Sequence, residues 1–522
     1  MALKTQVKRY SVGVAVLLAS AAAQADEVGY DALVARLGAA TPTGALVRVV
    51  QTEAPASGAY SPDQTNAEFV GKTFTLMSGA SGVSSHATEV GREYYGSALS
   101  MAPGVVWVYL YEAANFAQTG YLRLGQGTSG TGLPSTPPGG ARVFNHSWIG
   151  AFGGTNDNEV LRRADYAMNR DNTLFICGEN NGTGSAMQPL MSECYNGLAV
   201  GLTNGQHSAG PTPAGIDGAG RQKPEIVAPG QYTSFSTPIV SSAATLLYET
   251  AITPPLDTVA SARKGVVIKS TLLAGAKHRD TWTNNAPQSG TSRGIATTPM
   301  DPVYGVDTVN IDRSHRILTG GRTVPNTTIG TAAQGTLAGW SDYSWVVGTQ
   351  GTAVYVKFHL PAAATTASVV CTWNRYVGTG QIPGGTAAPA LANLDVTLYS
   401  MATGAPTPLT GAAGIGVFDS GNCVSQSTVD NVEHLFMRNL AAGDYLLEVK
   451  RQDANAVSAP ASIAWLFDVP PLQGDFDGDW IVNGTDLGIL LGSWGQPGPT
   501  DLNNSGATDG EDLGVLLGHW SR

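Results

Sequence analysis

Between about residues 44 and 320, short apolar runs alternate with helix-length stretches, and that alternation limits the folds open to the chain. Residues 45–53 are apolar and β-branched and end in polar groups; 105–111, 142–148, 173–178 and 198–202 repeat the character. Helical candidates lie between and after them, at 86–99, 158–169, 236–250 and 261–274. Apolar strands joined through helices imply a parallel sheet covered on both faces. In such sheets reactive groups gather at the carboxyl ends of the strands. Several polar residues fall there or at helix starts: Glu53, His86, Asn180 and Ser234.

After residue 320 the pattern changes. Residues 321–352 are rich in Gly, Thr and Ser and read as a linker or first loops. Strand-like runs at 353–360, 367–373, 394–399, 434–437 and 445–450 follow, separated by Gly, Pro and Asn, and predict a β-sandwich over 353–469. Pro470-Pro471 marks a further boundary, and residues 470–522 contain a repeat. Asp486-Leu487-Gly488-Ile489-Leu490-Leu491-Gly492 returns as Asp512-Leu513-Gly514-Val515-Leu516-Leu517-Gly518. A duplicated unit this short implies two stacked copies sharing one core.

A chain of 522 residues with 65 glycines and only 13% charged residues suits a turn-rich extracellular protein. The net charge of −11, without a basic run, speaks against nucleic acid as a partner. Lys4, Lys8 and Arg9 precede an apolar run from 12 to 23, and Ala23-Gln24-Ala25 offers a small-x-small cleavage site. Residues 1–25 therefore read as a secretion signal cut after Ala25, with a secreted or cell-surface product and no membrane span. Export permits disulfides, so the four cysteines suggest the pairs Cys177–Cys194 and Cys371–Cys423; free buried thiols are the plain alternative.

The motifs of residues 44–320, taken in order, resemble those of the subtilisin-like serine proteases (subtilases). Thr233-Ser234-Phe235-Ser236-Thr237-Pro238 resembles the family's Thr-Ser-Met-Ala-Thr-Pro, and Lys223-Pro224-Glu225-Ile226-Val227-Ala228-Pro229-Gly230 its Lys-Pro-Asp-Ile-x-Ala-Pro-Gly. His86-Ala87-Thr88-Glu89-Val90 resembles His-Gly-Thr-His-Val, and Gly178-Glu179-Asn180-Asn181-Gly182 resembles Ala-Gly-Asn-x-Gly. Met101-Ala102-Pro103-Gly104, Asn145–Gly150 and Ser208-Ala209-Gly210-Pro211 are looser matches in the same order. The resemblance implies a serine endopeptidase acting on protein or peptide substrates. It makes Ser234 the nucleophile, His86 the general base, and Asn180 the oxyanion donor.

The acid departs from the family pattern. Val47-Arg48-Val49-Val50-Gln51-Thr52-Glu53 places Glu53 where the family carries Asp, and Ala54 follows where Ser or Thr is usual. Tyr232 replaces a glycine, the loop between Gly230 and Thr233 is short, and about twenty residues separate the predicted cleavage from the first strand. Those departures favour an alternative, a catalytically inactive surface or scaffold protein. A carbohydrate-active enzyme finds no paired-carboxylate motif.

Residues 425–449 resemble the pre-peptidase C-terminal β-sandwich. The tail resembles the type I dockerin, a duplicated relative of the EF-hand. Its first loop offers Asp475, Asp477, Asp479, the Ile481 carbonyl and Asp486; its second offers Asp501, Asn503, Ser505, the Ala507 carbonyl and Asp512. Hard oxygen donors at loop positions 1, 3, 5, 7 and 12 suit Ca²⁺. The neutral Ser505 predicts the weaker site, and Trp480 stands where a turn glycine is usual. The resemblance implies a cohesin-type protein partner.

Overall fold

The computed structural model describes residues 27–414, 417–477 and 481–520. The proposed signal at 1–25, Asp479 and Trp480 lie outside the described residues.

Seven strands form one parallel sheet: β1 (Val49–Glu53), β2 (Thr73–Leu76), β3 (Trp107–Glu112), β4 (Val143–His146), β5 (Leu174–Gly178), β6 (Leu198–Leu202) and β7 (Ile226–Ala228). Their order is β2-β3-β1-β4-β5-β6-β7. All the pairings are parallel. The chain leaves β1 toward one edge and returns across it to β4, so the order reverses beside β1. A crevice opens at the carboxyl ends where an α/β sheet reverses. β1, β4, β5 and β6 are buried along their whole length, as expected of strands covered on both faces.

The helices include α1 (Tyr30–Leu37), α2 (Ser85–Tyr95), α3 (Thr155–Asp171), α4 (Thr233–Ile252), α5 (Gly265–Ala274) and α6 (Ile311–Thr319). α4 is buried on almost every side, which its Ser, Thr and Ala residues make possible. The hydroxyls of Thr237, Thr245 and Thr250 donate to carbonyls four residues earlier, so burying them leaves no orphan donor. Gly178 closes β5 against this helix; a Cβ there would stand 2.7 Å from Thr237 Oγ1.

The second unit is a two-sheet β structure. One sheet contains Ala353–Leu360, Leu394–Ser400 and Gly443–Arg451; the other contains Ala338–Trp345, Ala364–Trp373, Val432–Leu440 and Ala459–Phe467. The first alternates, with Val354, Val356, Phe358 and Leu360 facing inward. The second is buried almost continuously, because its outer face covers α5, all ten residues of which are buried. Trp340, Val370, Ala464 and Leu466 join the core of the α/β unit. Ser270 Oγ lies 2.7 Å from Ser462 Oγ across the junction.

Two expectations change here. The 321–352 segment is not a linker: Ala333–Gln334 and Ala338–Trp345 are strands of the β unit. Nor are the two units independent across residue 320, since Ile295–Ala296 pairs with Val424–Ser425 in the first sheet. We therefore expect a chain ended at residue 320 to show no cooperative thermal unfolding by circular dichroism, whereas the full chain does. A sharp transition from the truncated chain would show the β unit to be a mere spacer.

All four cysteines are free and buried, so neither expected disulfide is formed. Cys423 Sγ instead faces the Gly294 carbonyl at 3.7 Å. Cys371 and Cys177 are buried, which raises both thiols well above the ordinary range.

The tail holds α7 (Gly484–Gly492) and α8 (Gly510–Gly518), one after each loop. Val482, Leu490 and Leu516 form their shared core. Among the described residues no helix is long and apolar enough to cross a membrane.

Candidate active site

Glu53 is the last residue of β1 and is 1% exposed. His86 is in the first turn of α2, whose start is capped by Ser84 Oγ accepting from Ala87 N at 3.2 Å. Glu53 Oε2 lies 2.7 Å from His86 Nδ1. A carboxylate can only accept, so Nδ1 carries the proton and Nε2 is left as the base. Burial disfavours charge on this imidazole, but the Glu53 carboxylate outweighs it and the pKa is raised above 6.5. Activity that needs neutral His86 should fall as pH drops through this raised value. A kcat/KM profile with its acid limb above pH 6.5 is expected, moving lower when Glu53 is neutralised; a flat profile from pH 5 to 8 would exclude His86 as the base.

The longer arm of Glu is held by a residue that motif reading passes over. Gln51, two positions earlier on the same face of β1, donates from Nε2 to Glu53 Oε1 at 2.9 Å and to the Ala87 carbonyl at 2.8 Å. Its Oε1 accepts from Tyr95 Oη. Both carboxylate oxygens of Glu53 thus have fixed donors. In the sequence Gln51 is one of three polar residues in a five-residue strand, and nothing there marks it out.

Ser234 sits half-buried in the first turn of α4. Phe235, next to it, has its ring 5.9 Å from that of His86, which brings the two helix starts together. Pro238 has no N–H to give the Ser234 carbonyl. Ser147 Oγ donates to that carbonyl instead, at 2.9 Å, and itself accepts from Asn145 Nδ2 at 3.0 Å. Asn145 Oδ1 accepts from Ser241 Oγ at 2.9 Å. The end of β4 is thereby tied to the serine's helix. Thr233 N donates to Asn181 Oδ1 at 2.8 Å, and Thr233 Oγ1 to the Glu179 carbonyl at 2.6 Å.

The expected set converges only in part. Glu53 and His86 are paired. Among the described residues no hydrogen bond joins His86 to Ser234; such bonds tighten with substrate in many enzymes. Asn180 Nδ2 donates to the Ala186 carbonyl at 2.9 Å, so one of its two amide hydrogens is engaged by its own loop. Behind it, burial and the nearby Glu193 push Glu179 up to about 8. Ser208 Oγ donates to Glu179 Oε2 at 2.8 Å, and Asn180 N donates to Ser208 Oγ at 3.0 Å. His146 is buried and pushed down to about 3, and His207 accepts from Leu202 N at 2.9 Å; both are structural.

In the tail, carboxylate oxygens of Asp475, Asp477 and Asp486 all lie within 4.8 Å of one another. Asp486 accepts from the backbone N–H groups of Phe476, Asp477 and Asn483, and Asp512 accepts in the same way from Leu502, Asn503 and Asp509. The two loops therefore share one local geometry. In the second, Asp501 accepts from Ser505 N and Gly506 N, Asn503 Oδ1 also accepts from Ser505 N, and Ser505 Oγ donates to the Ala507 carbonyl.

No protein-family model matches the chain, and no curated protein matches it. Among solved structures, a point mutant of the protease domain of PatA is similar at 16% identity and a TM-score of 0.36, over 54% of this chain and 98% of that one. The prenylagaramide maturation protease PagA is similar at 19% identity and 0.35, over 52% and 94%. The MycP3 protease from the type VII (ESX-3) secretion system is similar at 13% identity and 0.34, over 55% and 89%.

Proposed function

We propose that the chain is a secreted serine endopeptidase of the subtilisin type, carrying a Ca²⁺-binding dockerin-like tail for attachment to a cohesin-type partner. The observation that carries this reading is the 2.7 Å pairing of Glu53 with His86 Nδ1, set beside the helix start that bears Ser234. A serine hydroxyl is a poor nucleophile until an imidazole takes its proton. His86 Nε2 accepts the Ser234 proton as Oγ attacks the peptide carbonyl. Glu53 holds the imidazolium in place. The N–H dipoles at the start of α4 and the free hydrogen of the Asn180 amide stabilise the oxyanion. His86 then protonates the leaving amine, and water hydrolyses the acyl-Ser234 ester by the reverse path.

Digestion of a denatured protein such as casein tests the reading. Cleavage by the wild type but not by Ser234→Ala is expected. The second reading, an inactive scaffold, draws on the unmade His86–Ser234 bond and the engaged Asn180 amide; it predicts no cleavage by either chain.

In the tail, three clustered carboxylates are hard anionic donors of the kind Ca²⁺ takes. Asp475, Asp477, Asp479, the Ile481 carbonyl and Asp486 would hold one ion, and Asp501, Asn503, Ser505, the Ala507 carbonyl and Asp512 a second. The ion would supply charge neutralisation that lets each loop close. Chelation should lower the helical circular dichroism of residues 474–522 within the full chain and unfold the tail first. An unchanged spectrum and melt would remove the Ca²⁺ assignment.

A further inference from the structure

A cleft of about 730 Å³ opens at the amino ends of the parallel strands, the end opposite Glu53 and His86. Arg142 and Asn172 reach it from just before β4 and β5, Arg263 and Lys264 from the connection between α4 and α5, and Arg322 and Asp342 from the β unit. Four cations thus line one cavity in a chain whose net charge is −11.

Asp342 is the one acid among the lining residues, and two of the cations share it: Lys264 Nζ at 2.8 Å and Arg322 Nε at 2.5 Å. Arg142 Nη1 donates only to a backbone carbonyl, that of Asp171, at 3.0 Å. Arg263 donates to the Asp257 carbonyl, while its Nε is buried without a partner. No side chain caps α5, which begins at Gly265 beside the cleft and adds its positive end.

We propose that this cleft binds a tetrahedral oxyanion of the sulfate or phosphate class, as a free ion or an ester. Guanidinium groups match such oxyanions with paired N–H donors, and the anion would neutralise the excess charge. Because residues from both units line it, the site forms only where the β unit is docked. Its place at the amino ends of the strands leaves the carboxyl-end crevice open to substrate.

The test is isothermal titration of the full chain with sodium sulfate, sodium phosphate and a sulfated polysaccharide, each against sodium chloride of equal ionic strength. Saturable binding of at least one is expected, weakened about tenfold in Arg263→Gln, the loss of one charge-assisted hydrogen bond. Binding of the simple ions assigns a free anion; binding of the polymer alone assigns an ester. Arg322→Gln alters a partly exposed side chain and should weaken binding too, which covers failure of the first variant to fold. No saturable binding in any arm, or wild-type affinity in the folded variants, would overturn the proposal.

Discussion

Replacing Glu53 by Gln is expected to lower kcat/KM for a peptide substrate by about 10⁴-fold, with little change in folding. The size follows from Gln51. Its Nε2 points at the Oε1 position of residue 53 and its orientation is locked, because Tyr95 Oη donates to its Oε1. The new amide must place its oxygen toward Gln51 and its NH₂ toward His86. That NH₂ cannot accept from Nδ1, so the ring takes the tautomer with its proton on Nε2. Such an imidazole cannot receive the Ser234 proton. Adding Gln51→Glu, which turns the donor beside residue 53 into an acceptor, lets that amide present its oxygen to Nδ1 and should recover part of the loss. Steady-state kinetics on a peptide amide measures both variants; less than a tenfold loss in Glu53→Gln would show that the carboxylate does not orient the base.

The second large effect concerns the junction between the two units. Arg375 is 1% exposed and bridges Asp165 at 2.6 Å and Asp217 at 2.7 Å, both on the α/β unit. Its guanidinium lies 4.0 Å from the centre of the Tyr195 ring, whose other neighbour is Arg221 at 3.7 Å. Burial opposes the charge on Arg375, but the two aspartates outweigh it and raise its pKa. Arg375→Met would leave Asp165 without its ionic partner in a buried site, while Asp217 keeps only Arg162 at 3.3 Å. Breaking a buried pair from one side typically costs about 3–5 kcal/mol. Denaturant unfolding followed by near-UV circular dichroism should show that loss, with both units failing together. A loss below about 1 kcal/mol would mean that the junction relaxes around the change and that its other contacts hold the units together.

Much of this was legible in the chain because local chemistry and global position agreed. Residues 198–202 form a strand with the bounds expected, since an apolar run covered on both faces has no competing reading. Glu53 and His86 could be paired in advance because their motifs resemble the subtilase ones, which set the acid at a strand end and the histidine at a helix start. Gln51 could not: a polar residue in β1 looks like ordinary alternation until the partners of both its amide groups are seen. The 321–352 segment misled because 338–345 carries few aliphatic side chains; its strand is made by pairing with Ala459–Phe467, some 120 positions away, and by burying Trp340 and Trp345. Of the cysteine pairs, Cys177 does lie thiol to thiol against Cys194 without a bond between them, whereas Cys423 turns to the Gly294 carbonyl. In the tail, the 26-residue repeat carried its capping geometry with it, so Asp486 and Asp512 accept from equivalent backbone groups.

The claim at the centre is that Glu53, His86 and Ser234 work as one nucleophilic unit. Reaction of the folded full chain, in buffer containing Ca²⁺, with a fluorophosphonate probe, followed by peptide mapping, tests it without any knowledge of substrate. The account predicts a single adduct on Ser234 Oγ, absent in Ser234→Ala and greatly slowed in His86→Ala. An unmodified Ser234 in the wild type, or equal labelling when His86 is gone, would contradict it.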